Sequence, residues 1–341
     1  MSAPSLVLEV REGGLYLPAL DLFLDPDRGV GRAFISHAHG DHGGGWGSAE
    51  VFASRETLAL LQERHGPIDG ARVMEWEGAL DVRGAKLSIA SAGHVLGAAQ
   101  LVVDHARGRF VYTGDYRTGP GATHGEGAPV QCDTLAIEST FGLPMFAFPD
   151  RDLTMAALVS WCRAALADGD TPVVYAYALG KSQAIAAELH KAGMDVIAHG
   201  AVYKICTAYE ALGVPLGIAA GTLRPYAEEK KRKSLGGVLL TPPRTAATPM
   251  VKGRRGFRTA YVSGWSLIDA SIERLRAEVG FAISDHADFD DLLETVRATR
   301  ARFVYATHGE PVAFSKILQE QGIASEPREV RAIDAFEDTV E

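Results

Sequence analysis

The stretch ISHAHGDHGGG, residues 35–45, gathers three histidines and an aspartate within six positions: His37, His39, Asp41 and His42. Imidazole and carboxylate are the side chains that hold zinc or manganese at a centre with an open coordination position. His37 and His39 stand two apart after an apolar run, where strand alternation turns both rings to one side. They can therefore grip one ion. Asp41 and His42 follow as the chain turns through glycine, and they can face a second position. A polar turn with incidental histidines would not need four such side chains together. More donors stand where other apolar runs meet glycine: His94 in SAGHVLG, Asp115 in VYTGDYR and His308 in YATHGE. Glycine lets the backbone turn tightly beside an ion. His65, His105, His124, His190 and His199 sit in polar or helical contexts and read as solvent-facing.

The elements that must position these residues change character along the chain. Residues 1–140 read mostly as short strands with tight turns. The runs at 20–25, 32–36, 86–91, 99–104, 109–115 and 133–139 are aliphatic or β-branched and of strand length. From about 150 the pattern alternates. A helix at 153–169, a strand at 172–179 and a helix at 181–193 are followed, beyond 278, by a strand at 280–284 and a helix at 288–299. A strand at 302–309 then leads to a last helix from Pro311. Such alternation predicts a parallel sheet in an α/β chain.

Composition bounds the rest. The 341 residues are 47% apolar and 23% charged, which excludes disordered and collagen-like classes. No apolar run reaches the roughly 18 residues of a membrane span, and the start, MSAPSLVLEVREGG, shows no export signal. Cys132, Cys162 and Cys206 are odd in number and form no CxxC pair, so a reducing cytoplasm is expected. The net charge of −9 argues against a wholly basic surface. It leaves room for one local basic patch.

HxHxDH with a downstream His, Asp and His resembles the metallo-β-lactamase fold. Three further stretches narrow the resemblance. AIESTFG (136–142) is similar to the strand and turn that leave the lactamase core in the beta-CASP nucleases. FAISDHADF (281–289) is similar to the point of return, and YATHGE to their final metal-binding histidine. GLYLPALDLFLDP, GDYRTG and CDTLAIESTFGLP look most like the bacterial ligase-associated DNA exonuclease branch. The resemblance spans nearly the whole chain. It implies an αββα sandwich built from residues 1–148 and 279–341, with an α/β beta-CASP lid domain inserted at 149–278.

The same resemblance implies roles. His37, His39 and His94 would hold one divalent ion, zinc or manganese, and Asp41, His42 and His308 a second, with Asp115 bridging them. Asp25 would orient ligands or the nucleophile, although it could also simply cap the turn before Pro26. Glu138 and His286 would form an acid/base pair near the leaving group; the lesser alternative for Glu138 is a buried structural carboxylate. The implied activity is two-metal phosphodiester hydrolysis on nucleic acid. An exonuclease on single-stranded DNA ends in repair is favoured, with functional association with a DNA ligase and no membrane partner. An RNA-processing nuclease of the same fold is the alternative, because RNA-directed members keep histidine where His308 stands. A small-molecule thioesterase or lactamase would leave the insert and ISDHADF without purpose. A catalytically silent nucleic-acid-binding subunit would have no need for the full donor set.

Two stretches read as substrate contacts. YALGKSQ is a strand-to-helix turn whose free N–H groups, with Lys181 and Ser182, could hold a phosphate, although it could equally be an ordinary helix start. Residues 224–258 contain ten Lys or Arg and two Glu. Their local charge of +8 within a total of −9 leaves −17 elsewhere, which would draw a polyanion to that segment. Lys230, Lys231, Lys233, Arg254 and Arg255 are the residues expected to track its backbone. The bland reading is a solvated helix face and a basic loop.

Overall fold

A computed structural model describes residues 3–230, 235–252 and 255–330 of the chain. Among these, residues 3–147 and 286–330 form one compact unit and residues 148–285 a second.

The first unit contains two mixed sheets. One has strand order Glu9–Arg11, Gly14–Leu17, Leu22–Leu24, Arg32–Phe34, Glu50–Ser54 and Ala71–Met74. Its first three strands are antiparallel and its last four parallel. The other runs Ser325–Arg328, Phe303–Thr307, Thr134–Glu138, Gly108–Tyr112, Ala99–His105, Ala85–Ser91 and Leu80–Val82. Leu15, Leu24, Phe34 and Phe52 of the first sheet share one buried cluster with Leu87, Leu101, Phe110 and Tyr305 of the second. Alternate residues of each strand face that cluster, as expected of paired sheets buried on their inner faces. Helix Arg55–His65 packs on the first sheet and helix Pro311–Glu320 on the second.

Strand direction decides where the loops collect. Leu22–Leu24 and Arg32–Phe34 run parallel. In the second sheet Gly108–Tyr112, Thr134–Glu138 and Phe303–Thr307 are also parallel to one another. Ala85–Ser91 is antiparallel to Ala99–His105, which is antiparallel to Gly108–Tyr112. All these strands except Ala99–His105 therefore end at a common edge of their sheet.

The second unit is built on a wholly parallel sheet in the order Leu223–Pro225, Val196–Ala198, Val238–Thr241, Thr171–Tyr175, Phe257–Val262 and Val279–Phe281. Helices Arg151–Ala167, Lys181–Lys191 and Gly200–Ala211 alternate with its strands. Val173, Ile197, Leu239 and Tyr261 form its core, the near-continuous apolar strand pattern of a parallel sheet.

Two differences from the sequence reading have physical causes. The segment expected to return to the first core from 279 instead begins with Val279–Phe281 paired to Phe257–Val262, so 279–285 belong to the second unit. The apolar run at 32–36 stops being a strand at Phe34, and His37–His39 lie in a bend beyond it. Their rings are brought together by the turn and not by the pleat. No described helix is long and apolar enough to cross a membrane.

Candidate metal centre

The common strand edge of the first unit carries the polar residues. His37, His39 and His42 follow Arg32–Phe34, Asp25 follows Leu22–Leu24, His94 follows Ala85–Ser91 and Asp115 follows Gly108–Tyr112. Glu138 ends its own strand, and His308 follows Phe303–Thr307. Close approach depends on glycine. A Cβ on Gly114 (φ +56°) would lie 2.5 Å from the Ser36 side chain, so only glycine lets the Asp115 turn meet the histidine loop.

Four donors gather around one point. His37 Nε2 lies 3.0 Å from His39 Nδ1, which lies 3.1 Å from His94 Nε2. Asp115 Oδ2 is 3.5 Å from His37 Nε2 and 3.6 Å from His94 Nε2. Ligands about 2.1 Å from a tetrahedral ion sit roughly 3.4 Å apart, so the spacing fits a single zinc-sized cation. The other carboxylate oxygen faces elsewhere. Asp115 Oδ1 is 3.2 Å from His42 Nε2, which is 3.7 Å from Asp41 Oδ2. The His308 ring lies with its centroid 4.7 Å from that of His42. One carboxylate thus presents one oxygen to the His37–His39–His94 group and the other to His42. The mix of imidazole and carboxylate donors suits zinc or manganese better than calcium or magnesium.

Asp25 stands behind both groups. Its Oδ1 accepts from the Ser36 amide at 2.6 Å. Its Oδ2 accepts from the Ser36 hydroxyl at 2.6 Å, the Tyr112 hydroxyl at 2.8 Å and His42 Nδ1 at 2.8 Å. The Ser36 hydroxyl, spent on Asp25 as donor, can only accept from His37 Nδ1 at 2.9 Å. His37 and His42 therefore both donate from Nδ1 and turn Nε2 to the centre, an arrangement that fixes each ring's orientation. Asp25 accordingly fixes the Ser36 loop and the His42 ring. It adopts a left-handed φ of 45°, as does His308 at 48°. Non-glycine residues hold that conformation where the surroundings overdetermine it.

Glu138 and His286 form the third feature. Glu138 is fully buried, and its carboxylate takes His286 Nδ1 at 2.9 and 3.0 Å and the Tyr116 amide at 2.5 Å. His286 Nε2 points toward the same Asp115, 3.9 Å from Oδ2. The ring retains 22% of its exposure, so it faces the centre and solvent together.

No family model matches the chain. A probable DNA ligase of Opitutus terrae is 31% identical over 345 residues, covering 94% of this chain and 32% of that protein. An RNase J-like protein of Methanocaldococcus jannaschii is 25% identical over 181 residues, 47% of this chain and 43% of its own length. Cleavage and polyadenylation specificity factor subunit 3-I of Arabidopsis thaliana is 32% identical over 127 residues, covering 36% and 18%. The chain belongs to the beta-CASP family of the metallo-β-lactamase fold. It spans about a third of the ligase and less than half of the other two.

Within this beta-CASP chain the donors are electrostatically unequal. Burial, reinforced by His42, holds the His37 imidazole well below its ordinary range. Burial would also strip His42 of its proton, but Asp115 and Asp41 outweigh it and hold that group well above 6.5. Burial and then His42 push His308 down to about 4. Burial opposes ionisation of Asp115, yet His42, His286 and His37 hold its carboxyl well below the usual range. Tyr112, raised by burial and by Asp25, keeps its proton and its donor role.

The substrate-contact expectations fare differently. Lys181 is buried with its ammonium 2.9 Å from Asp285, and the buried Ser182 hydroxyl donates to the Tyr177 carbonyl at 2.6 Å. Both are turned inward and do not present a phosphate cradle. Lys230 and Arg255 are exposed, while Lys231, Lys233 and Arg254 lie outside the described residues. Arg224 is neutralised by Asp195 and Glu229, and Arg258 by Glu278, so the +8 is not all free charge. His65, His105, His124, His190 and His199 are half-buried; His199 caps the helix Gly200–Ala211. Sequence reasoning missed Ser36 and Tyr112. Their signal was adjacency, one residue before His37 and three before Asp115.

Proposed function

We propose that this beta-CASP chain is a metal-dependent nuclease that hydrolyses phosphodiester bonds, acting as an exonuclease on single-stranded DNA ends in repair. The observation that supports the reading is Asp115, whose carboxylate faces His37 and His94 with one oxygen, His42 with the other, and His286 of the Glu138–His286 pair. His37, His39 and His94 would hold one divalent ion and Asp41, His42 and His308 a second, with Asp115 available to both. Bound zinc or manganese supplies Lewis acidity and a water of lowered pKa. Hydrolysis forms a P–O bond to the oxygen of water and breaks the P–O bond to the leaving oxygen, which would take its proton from His286 Nε2. Glu138 holds Nδ1 and stabilises the protonated ring, which is what a proton donor at neutral pH needs. Residues 1–148 with the return segment make the αββα core. The parallel-sheet unit is the beta-CASP insert, and its exposed Lys230 and Arg255 contact the substrate backbone.

Similarity over 94% of the chain to a probable DNA ligase supports DNA ends and a functional association with a ligase. An RNA substrate is favoured by His308 and by similarity to the RNase J-like protein and the polyadenylation factor subunit. Matched end-labelled single-stranded DNA and RNA, incubated with Mn²⁺ or Zn²⁺, decide between the two. Stepwise shortening of DNA supports the first reading. Cleavage of RNA alone replaces it with the second, and cleavage of neither by the metal-loaded chain overturns both.

A further inference from the structure

Helix Arg55–His65 touches the candidate centre's loops at both of its ends. At its C-terminal end the Arg64 guanidinium donates from Nη1 to the carbonyl of Ala38 at 2.7 Å. Ala38 is the residue between His37 and His39, so this bond holds the peptide that sets the two rings' spacing. At its N-terminal end the Ser54 hydroxyl donates to the Gly97 carbonyl at 2.7 Å and the Thr57 hydroxyl donates to the same oxygen at 3.0 Å. Gly97 lies three residues after His94, in the turn that carries that imidazole. The fit there is tight: a Cβ on Gly97 would lie 2.7 Å from the Thr57 amide nitrogen. The two loops are also tied directly, since the Ala99 amide donates to the Ser36 carbonyl at 2.9 Å. None of these side chains reaches the donor atoms themselves.

We infer that helix Arg55–His65 is a brace that pre-forms the His37–His39–His94 half of the centre, with Arg64 and Thr57 as its positioning residues. The inference rests on reading those three histidines as the holders of one ion. Its physical basis is that a charged donor on a carbonyl is among the stronger hydrogen bonds. This charged bond at one end of a rigid helix, with the Ser54 and Thr57 hydroxyl bonds at the other, also fixes the distance between the two loops. Without Arg64 the Ala38 peptide can rotate, and the His37 and His39 nitrogens lose their common focus before any ion arrives. The bonds of Arg64, Ser54 and Thr57 go to the loops that carry His37, His39 and His94, so the loss should fall on that half.

The test is a titration of the metal-free full-length chain with Zn²⁺ against a chromophoric chelator, comparing wild type, R64A, R64K and T57V. Positioning bonds behind metal ligands typically change affinity by about 10–100-fold. R64A should weaken one of the two binding steps by that factor and leave the other within about threefold. R64K should recover part of the loss, and T57V should show the same one-step weakening to a smaller degree. Thermal melting of the metal-free variants shows whether each remains folded. If R64A fails to fold, T57V, which keeps Ser54 on the Gly97 carbonyl, decides the question alone. Folded R64A or T57V with both binding steps unchanged, or with both weakened equally, overturns the brace. Wild type that binds no Zn²⁺ at all overturns the metal reading beneath it as well.

Discussion

Both units carry charged and polar side chains on or beside their strands, yet the two sets are satisfied in different ways. In the first unit the donors of several loops and strand ends converge on Asp115, and the nitrogens of His37, His39 and His94 lie within 3.1 Å of one another in sequence around the point they share. In the second unit charges are cancelled in pairs. Lys181 meets Asp285, Arg224 meets Asp195 and Glu229, and Arg258 meets Glu278. Pairwise cancellation leaves nothing for a ligand to supply. Convergence of lone pairs does, because such a cluster is stabilised by a cation that replaces mutual repulsion with bonds. The contrast separates side chains that maintain a fold from side chains that wait for chemistry.

The comparison breaks first at Asp115. Asp115→Asn keeps the shape but removes the charge seen by both donor groups, and should cut cleavage by roughly 10³-fold or more. Metal analysis should show fewer than two ions in a chain that still melts cooperatively. Full activity in this variant would mean that the convergence is incidental. His286→Ala should retain both ions while lowering turnover by about 10²–10⁴-fold, the range of a lost proton transfer. The deficit should shrink with a nitrophenolate leaving group, which leaves without a proton. An emptied metal site in this variant would assign His286 to the ligands instead.

The second unit's part of the comparison is a matter of stability. Lys181→Ala leaves the buried Asp285 with one fewer counter-charge, and losses of this kind run to about 3–5 kcal/mol. Arg151, 3.7 Å from Asp285 and donating to the Ser284 carbonyl, should soften that figure. Urea denaturation of Lys181→Ala beside the Lys181→Ala/Asp285→Ala double variant measures the pair, and near-identity with wild type would return Lys181 to the substrate-contact candidates. The smallest effect concerns pH. His42 is held well above 6.5 in the metal-free chain, so an ion bound by it must displace a proton. Affinity for that ion should therefore rise as pH increases through the neutral range and level off once His42 is deprotonated without metal. Calorimetry in buffers of different ionisation enthalpy counts the protons released. A release of zero at pH 7 would contradict the protonated state.

How much of the centre is legible in the sequence depends on how far apart partners lie in the chain. His37, His39, Asp41 and His42 are neighbours, so their density alone announces a centre. His94, Asp115 and His308 were readable because each follows an apolar run and abuts a glycine. Asp25 shows the limit. Its role comes from Ser36, His42 and Tyr112, the last 87 positions away, and nothing local marks that convergence. Lys181 failed for the same reason, since Asp285 lies far downstream and is invisible to a motif that looks like a phosphate loop. The strand at 279–281 was assigned to the wrong unit because its pairing with Phe257–Val262, and not its own composition, decides where it lies.

Tyr112 ends a strand of one sheet and Asp25 directly follows a strand of the other, so their hydrogen bond links the two sheets. The carboxylate that fixes the His42 ring is thus also a rivet between two layers. Any separation of the sheets releases that rivet and frees His42 to turn. If ions bind as proposed, holding them and holding the layers together would be one cooperative event: a loaded centre would lock the sandwich shut, and a loosened sandwich would drop its ions. Substitutions deep among the apolar residues, far from any donor, would then register as changes in metal retention, so heat tolerance and metal retention in this chain would drift together over generations.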